Sequence, residues 1–379
     1  MSDLSPIRAV THPDPYPYYA RLTAERPFGY DQELGLWVAT GAAEVAAVLA
    51  EPRLRVRPVA EPVPAGIVGT AAGQVFGSLV RMTDGPLAGR LKKIVVTALG
   101  RAEPERVAKI AADRTARALE DAPAAVPLRD IMFAVPAQVT AVLCGLDGEA
   151  AGEASRLIGD FVQCLTANAT PGQQAAAARA AAALQELLGP ALTADGGGLL
   201  AELVRAAAAD DWTEQAPLLA NGIGLLSQTY DATAGLIGNT LLALAREGVP
   251  QPTTAAGLIR FVSEVARYDA PVQNTRRFAA EPVMIARADV AAGDAVLVVL
   301  AAANRDPAAN PAPAVFRSSR ISPMVFTFGS AGHACPGQVI AVRMASAIVA
   351  ELLGYGFSPS SLPSNVTYLP LANARIPVL

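Results

Sequence analysis

The stretch richest in chemistry is Phe328-Gly329-Ser330-Ala331-Gly332-His333-Ala334-Cys335-Pro336-Gly337, which runs straight into an apolar helical pattern. A thiol just ahead of a helix meets the positive end of the helix dipole and several amides without partners, and both favour the thiolate. Glycines on either side let a flat or bulky group approach the backbone closely. A thiolate held this way, with an imidazole two residues earlier, suits an iron porphyrin, with sulfur on the metal and His333 on a propionate. Two other chemistries use the same residue types. A lone cysteine in a glycine-rich turn also serves as a small core residue. A Cys–His hydrolase fits poorly, because a His two residues before its Cys is badly placed for in-line proton transfer and no third orienting group is evident.

A second group lies upstream. Glu264-Val265-Ala266-Arg267 falls in a helical pattern, so its carboxylate and guanidinium share a face at i, i+3 and can pair. Pro271-Val272-Gln273 and Arg276-Arg277 follow it. An isolated pair of this kind is commonplace on a surface. Its position, a hairpin and a coil ahead of the Cys loop, is what marks it.

Composition limits the alternatives. The chain has 379 residues, 52 % hydrophobic and 17 % charged, which gives it a large core and excludes disorder as its main state. Thirty Lys+Arg against 34 Asp+Glu, a net charge of −4, leave no basic field for nucleic acid. The only two histidines, His12 and His333, exclude a multi-histidine metal centre. Three cysteines cannot build a disulfide framework and suggest a reducing, cytoplasmic setting. The beginning, Ser2-Asp3-Leu4-Ser5 and then His12-Pro13-Asp14-Pro15, lacks a basic and then apolar leader. Gln215–Ala245, whose only charge is Asp231, has the length of a membrane span, but Asn221, Ser227, Gln228, Thr229 and Asn239 interrupt it. It reads instead as a long central helix surrounded by others, spanning roughly 45 Å at ~1.5 Å per residue.

The elements that must position these groups are mostly helical. The pattern predicts a helix near Tyr18–Ala24, a strand Leu36–Thr40 and a helix Ala42–Ala50 ended by Pro52. A flexible Pro/Gly/Ala segment covers 58–75, and a helix from Pro86 to Leu99 carries Arg90, Lys92 and Lys93. Residues 103–245 read as helix broken at Pro123–Pro127, Thr170–Gly172, Gly189–Gly198 and Asp210–Trp212, with Cys144 and Cys164 as core residues. After residue 270 come short β-branched runs in Arg277–Ala302, split by Ala292-Gly293-Asp294 as a hairpin. An irregular coil 303–327, a helix Pro336–Leu353 and a strand-like end Tyr368–Leu379 complete the chain. With no linker between two cores, residues 1–379 read as one domain, mainly α with small β-sheets.

In this order the features resemble the cytochrome P450 family, the haem-thiolate monooxygenases. The resemblance runs almost end to end, through His12–Tyr19, Tyr30–Val38, the helix with Arg90 and Lys92, and Leu236-Ile237-Gly238-Asn239. It continues through Glu264–Arg267, Pro271–Arg277, Ala303-Asn304-Arg305-Asp306-Pro307 and Phe328–Gly337. It implies a triangular helical prism around haem b, with Cys335 as proximal iron ligand and His333 and Arg277 on the propionates. The haem-contacting set it implies further includes Arg90, Lys92, Phe328, Gly329, Pro336, Gly337, Ala341, Pro271, Val272, Gln228 and Ala232. Glu264 and Arg267 would tie their helix to the coil before the Cys loop. The resemblance also implies an apolar small-molecule substrate, oxygen, and electrons from a separate ferredoxin and ferredoxin reductase, with neither nucleic acid nor membrane as partner.

The departures bear on mechanism. Aligned on Leu236–Asn239, the central helix reads Gln228-Thr229-Tyr230-Asp231-Ala232-Thr233, where the family usually has Ala-Gly, a variable residue, an acid and Thr-Thr. The acid is kept as Asp231, but Ala232 replaces the alcohol that helps deliver protons for O–O cleavage. Asp231 and Thr233 are the catalytic candidates for the proton route. The same departure admits a haem-thiolate enzyme using peroxide or nitric oxide, radical coupling, or a haem-binding recruiter without turnover. Ala331 stands where the Cys loop commonly has Gly, read as a packing change. Ala88 stands where the family often has a propionate-binding His, leaving Arg90 or Lys92 to compensate. Val315 stands where an Arg commonly joins the Glu–Arg pair, leaving Arg317 or Arg320. Arg90, Lys92 and Lys93 form either a docking patch for an acidic electron donor or a solvated helix face. The substrate-lining stretches 58–85, 160–175, 225–233 and 270–275 carry no recognisable code.

Overall fold

Four helices start at short polar side chains that satisfy otherwise unpaired amides. Thr70 caps Ala71–Ser78, Asp147 caps Gly148–Phe161, and Thr254 caps Ala255–Tyr268. Thr170 and Gln173 form a reciprocal capping box at the head of Pro171–Leu188. The computed structural model describes residues 4–122, 126–166, 169–250 and 253–379. Its contacts divide the chain into one unit of Met1–Val59, Ala234–Cys335 and Leu352–Leu379, and a second of Ala60–Thr233 and Pro336–Glu351.

The second unit is helical. It contains Ala71–Ser78, Pro86–Leu99, Pro104–Glu120, Leu128–Cys144, Gly148–Phe161, Pro171–Leu188 and Gly198–Ala208. It also holds the first part of the central helix Gln215–Glu247 and most of Gln338–Gly354. Ile131, Ile158, Phe161 and Leu184 are fully buried within it. The break after Cys144, which the pattern did not predict, is made by Gly145 at φ +108°. A Cβ there would lie 2.6 Å from the Gly197 carbonyl oxygen, and one on Gly198 would lie 2.6 Å from that of Leu143, so two backbones touch where only glycine fits.

The first unit carries the sheets. In chain order the strands are β1 (Phe28–Asp31), β2 (Leu36–Ala39), β3 (Leu54–Arg55), β4 (Thr275–Ala279), β5 (Val283–Ile285), β6 (Ala288–Val290) and β7 (Ala295–Val298). Five of them form a sheet in the order β1-β2-β7-β4-β3, in which β2 and β7 run parallel and the other pairs antiparallel. Ala39, Val296 and Val298 pack with Val45, Val48 and Leu49 of the helix Ala42–Ala50. Leu36, Val38 and Leu297 pack with Tyr16 and Tyr19 of the helix Tyr16–Glu25.

Most expected elements are present; besides the break after Cys144, the helix Leu300–Asn304 falls where β-branched runs and coil were expected, and three further regions differ. The stretch 58–75 is not uniformly irregular, because a 3-10 turn Ala65–Ile67 and the Thr70-capped helix begin inside it. The hairpin pairs β5 with β6 and turns at Ala286 and Arg287, both at positive φ, whereas Gly293 leads into β7, which pairs with β4. The end of the chain makes only isolated bridges, Val272 with Ala374 and Tyr368 with Pro377. Residues 123–125 of the expected break, and Ser2 and Asp3, lie outside the described residues. The central helix is 33 residues long, and among the described residues no helix is long and apolar enough to cross a membrane.

Candidate functional site

The Glu–Arg helix Ala255–Tyr268 buries both charged side chains, and the surroundings answer each charge. Arg267 grips Glu264 in a fork, Nε to Oε2 at 2.9 Å and Nη2 to Oε1 at 2.7 Å. Its Nη1 donates to the carbonyls of Asn304 and Pro313. Glu264 Oε1 also accepts from Arg320 Nε and from the Arg317 backbone N–H, each at 3.0 Å. Arg320 therefore supplies the third charge that Val315 lacks, and Arg317 contributes only its amide.

This network anchors the coil that leads to the Cys loop. Asn304 Nδ2 donates to Thr327 Oγ1, and its Oδ1 accepts from the Phe326 N–H. Asn310 pairs with Met324 in both directions, amide to carbonyl and N–H to Oδ1. Thr327 Oγ1 donates to the Ala266 carbonyl, which joins the coil to the Glu–Arg helix.

The Cys loop closes on itself. The Cys335 N–H donates to the Phe328 carbonyl at 2.7 Å, and Gly329 turns at φ +68° with its Cβ position 3.0 Å from the His333 carbonyl oxygen. Ala331 stands at φ +51°. Its difference from the usual glycine is thus one of backbone strain rather than packing, on the order of 1 kcal/mol. Cys335 is exposed at the mouth of this loop, while Cys144 and Cys164 are buried and burial pushes their thiols up to about 12 and about 11.

In the same unit lie His333, half-buried in a 3-10 turn, and Arg277, buried on β4 with Nη1 donating to the Arg276 carbonyl. Pro271 accepts at its carbonyl from the Arg375 N–H, and Val272 bridges Ala374. Gly235 of the central helix lets this segment approach, since a Cβ there would lie 2.9 Å from Pro271 Cβ and 3.0 Å from the Arg375 carbonyl oxygen.

The second unit holds the other candidates. Burial pushes the Asp231 carboxyl up to about 6, against a smaller opposing effect of the Arg81 charge. Thr229 Oγ1 is engaged by the Leu225 carbonyl and Gln228 Nε2 by that of Gly224. The Thr233 hydroxyl, although buried, has no hydrogen-bond partner among the described residues. Ala232 is half-buried between them. Tyr230 packs on Phe133 with ring centroids 5.1 Å apart. On the helix Pro86–Leu99, Arg90 and Lys93 are drawn to Asp210, Nε to Oδ2 at 3.0 Å and Nζ to Oδ1 at 2.9 Å, and Lys92 is half-buried beside them. Pro336, Gly337 and Ala341 begin the C-terminal helical segment, where the Ala341 N–H donates to the Gly337 carbonyl. Arg81 was not among the residues singled out from sequence, and nothing in the residues around it signals an electrostatic link to Asp231.

The donor set fits a haem. Among the described residues no group of three or more His, Cys, Asp or Glu could hold a metal ion. The exposed Cys335 thiol is the kind of donor a haem iron would take, and the glycine turn of its loop leaves room for a flat group beside it.

Comparison with known proteins agrees. The cytochrome P450 family model matches residues 258–361. The chain is 30 % identical over 346 residues to vitamin D(3) 25-hydroxylase of Pseudonocardia autotrophica, covering 86 % of this chain and 83 % of that protein. It is also 30 % identical over 357 residues to the cytochrome P450 monooxygenase PikC of Streptomyces venezuelae, covering 90 % and 83 %. The crystal structure of CalO2 superposes with a TM-score of 0.86 at 22 % identity, over 100 % of this chain and 97 % of that one. The chain thus has the mainly helical fold with small sheets of that structure. The chain belongs to the cytochrome P450 family and is a bacterial-type haem-thiolate monooxygenase. The names of its relatives favour oxygenation over the peroxide, nitric oxide, radical-coupling and recruiter readings.

Proposed function

We propose that residues 1–379 work as one catalytic domain in the cytoplasm. On this reading the chain oxidises an apolar small molecule of secondary metabolism or catabolism, with electrons from a separate ferredoxin and its reductase. The cofactor is haem b, which when bound supplies one-electron and oxygen chemistry tuned by an axial thiolate.

The chain's own residues then divide the work. Cys335 supplies the axial sulfur, set ahead of a helix where the thiolate is favoured. His333 and Arg277 hold the macrocycle's carboxylates, with Lys92 as a third cation, since Arg90 is engaged by Asp210. Phe328, Gly329, Pro336, Gly337 and Ala341 shape the sulfur side, and Pro271, Val272, Gln228 and Ala232 make the remaining contacts. Asp231 takes and gives a proton at its carboxyl oxygen, because a group that titrates near 6 exchanges protons readily around neutral pH. The Thr233 hydroxyl, with no partner among the described residues, serves as a second donor and acceptor on that route.

The observation that carries the reading is the closed Phe328–Cys335 loop with its exposed thiol. Replacing Cys335 by Ser tests it. The thiolate-type absorption of the reduced carbon monoxide complex is expected to disappear while haem content falls, and a band that persists would show that another side chain holds the iron. A screen for compounds that shift the ferric spectrum then defines the substrate class.

A further inference from the structure

A cavity of about 790 Å³ lies within the first unit, bordered by the helix Tyr16–Glu25, the end of the Glu–Arg helix and the segment from Arg305 to Ala314. Prolines and alanines make much of its wall, and Asp14, Asp269, Asp306 and three arginines reach it. Its acids are already engaged. Asp269 Oδ1 accepts from Tyr16 Oη at 2.8 Å and from Arg375 Nε at 2.9 Å. Asp306 accepts from the Ala42 and Ala308 amides, and Asp14 from that of Tyr16. Arg375 is engaged as well, since its terminal nitrogens donate to the carbonyls of Val10, His12 and Pro13.

Arg305 differs from all of these. Its guanidinium carbon sits 3.6 Å from the ring centroids of both Tyr16 and Tyr268, which stack 6.5 Å apart with that plane between them. Its Nε donates to the Tyr268 carbonyl at 2.8 Å. Among the described residues its two terminal nitrogens have no hydrogen-bond or ion-pair partner. A guanidinium clamped on both faces and fixed at Nε keeps one edge available, and that edge matches a carboxylate in two parallel N–H···O bonds. The clamp has already removed the side chain's rotamer freedom, so binding there loses less entropy than at a mobile arginine.

We propose that this cavity binds an organic monocarboxylate with an apolar body, its carboxylate on the Arg305 fork and its body against Pro17, Ala20 and Pro313. Three acids and three arginines line the cavity, and with Arg375 engaged by Asp269 and Arg246 by Tyr368, Arg305 is the arginine left to answer one negative group.

Calorimetric titration of octanoate into the holoenzyme tests this, with the iron coordinated by 4-phenylimidazole so that the haem side is closed. Saturable binding is expected. The Arg305→Gln variant should weaken it roughly tenfold to a hundredfold, the effect of losing charge-assisted hydrogen bonds. Ala20→Trp, at an exposed helix position, should abolish it by filling the cavity while the ferric spectrum and melting temperature stay unchanged. Methyl octanoate should fail to bind. The proposal is overturned if octanoate does not bind saturably, if the ester binds as tightly, or if both variants bind octanoate like the parent chain.

Discussion

Glu264 and Asp231 are both carboxylates withdrawn into helical structure, one in each unit, and they differ in the donors around them. Glu264 receives two guanidinium groups and a backbone amide, and Arg267 beneath it hands its other donors to carbonyls. Burial raises the Asp231 carboxyl against a smaller lowering by the Arg81 charge, so its proton is held to about pH 6. The first arrangement uses a carboxylate as a structural tie between a helix and a coil. The second leaves a carboxyl whose protonation changes where the enzyme works, which suits a group that passes protons.

The comparison can be broken most directly at Glu264. The Glu264→Gln change leaves Arg267 and Arg320 facing a neutral amide, and a loss of about 3–5 kcal/mol is expected from leaving buried cations uncompensated. The midpoint of urea unfolding reads it, and a loss below about 1 kcal/mol would show that the tie is dispensable.

Asp231→Asn is expected to act in the opposite direction. The carboxyl's pKa is higher in the folded chain than in the unfolded one, so the folded state holds the proton more tightly. The stabilisation this gives is present below about pH 4, declines as pH rises and is lost above about 6, after which the buried charge opposes folding. The variant should therefore be more stable than the parent by about 3 kcal/mol at pH 8, with the gap shrinking to well under about 1 kcal/mol near pH 4. Turnover should fall roughly tenfold to a hundredfold with substrate affinity kept, and the inflection near pH 6 should vanish from the rate profile. Unchanged turnover and coupling would remove Asp231 from the proton route.

A smaller effect sharpens the picture. Arg320→Gln leaves Glu264 with Arg267 and the Arg317 amide, and a destabilisation of about 1–2 kcal/mol is expected in the same unfolding measurement. The smallest belongs to Asp210→Asn. It loosens Arg90 and Lys93 on an exposed face, and its unfolding midpoint should fall within the scatter of the parent's at moderate salt.

Features with local causes were legible in the residues. The helix Ala42–Ala50 was ended by Pro52, the helix Pro86–Leu99 was readable from its pattern, and the Cys loop was marked by its glycines. The hairpin turn was misplaced because Ala286 and Arg287 adopt positive φ without being glycine, while Gly293, which looked like the turn, serves another connection. The helix Ala71–Ser78 was hidden in a stretch whose Pro and Gly content signals disorder more strongly than its Thr70 cap signals a helix. The sequence could not choose between Arg317 and Arg320, because the choice depends on the path of a coil that has no periodicity. The Arg305 sandwich joins Tyr16 to a residue far along the chain, a relation no local pattern records.

The coil from Arg305 to Val325 is ordered without forming strand or helix, because the side-chain amides of Asn304 and Asn310 tie it and the 3-10 turn Phe326–Phe328 that follows it. Such a segment has no end from which to fray. In deuterium exchange the backbone amides of Met324 and Phe326 should stay protected together and release together, as one cooperative block with the helix that Thr327 joins. The approach to the sulfur would then open in a single step or not at all.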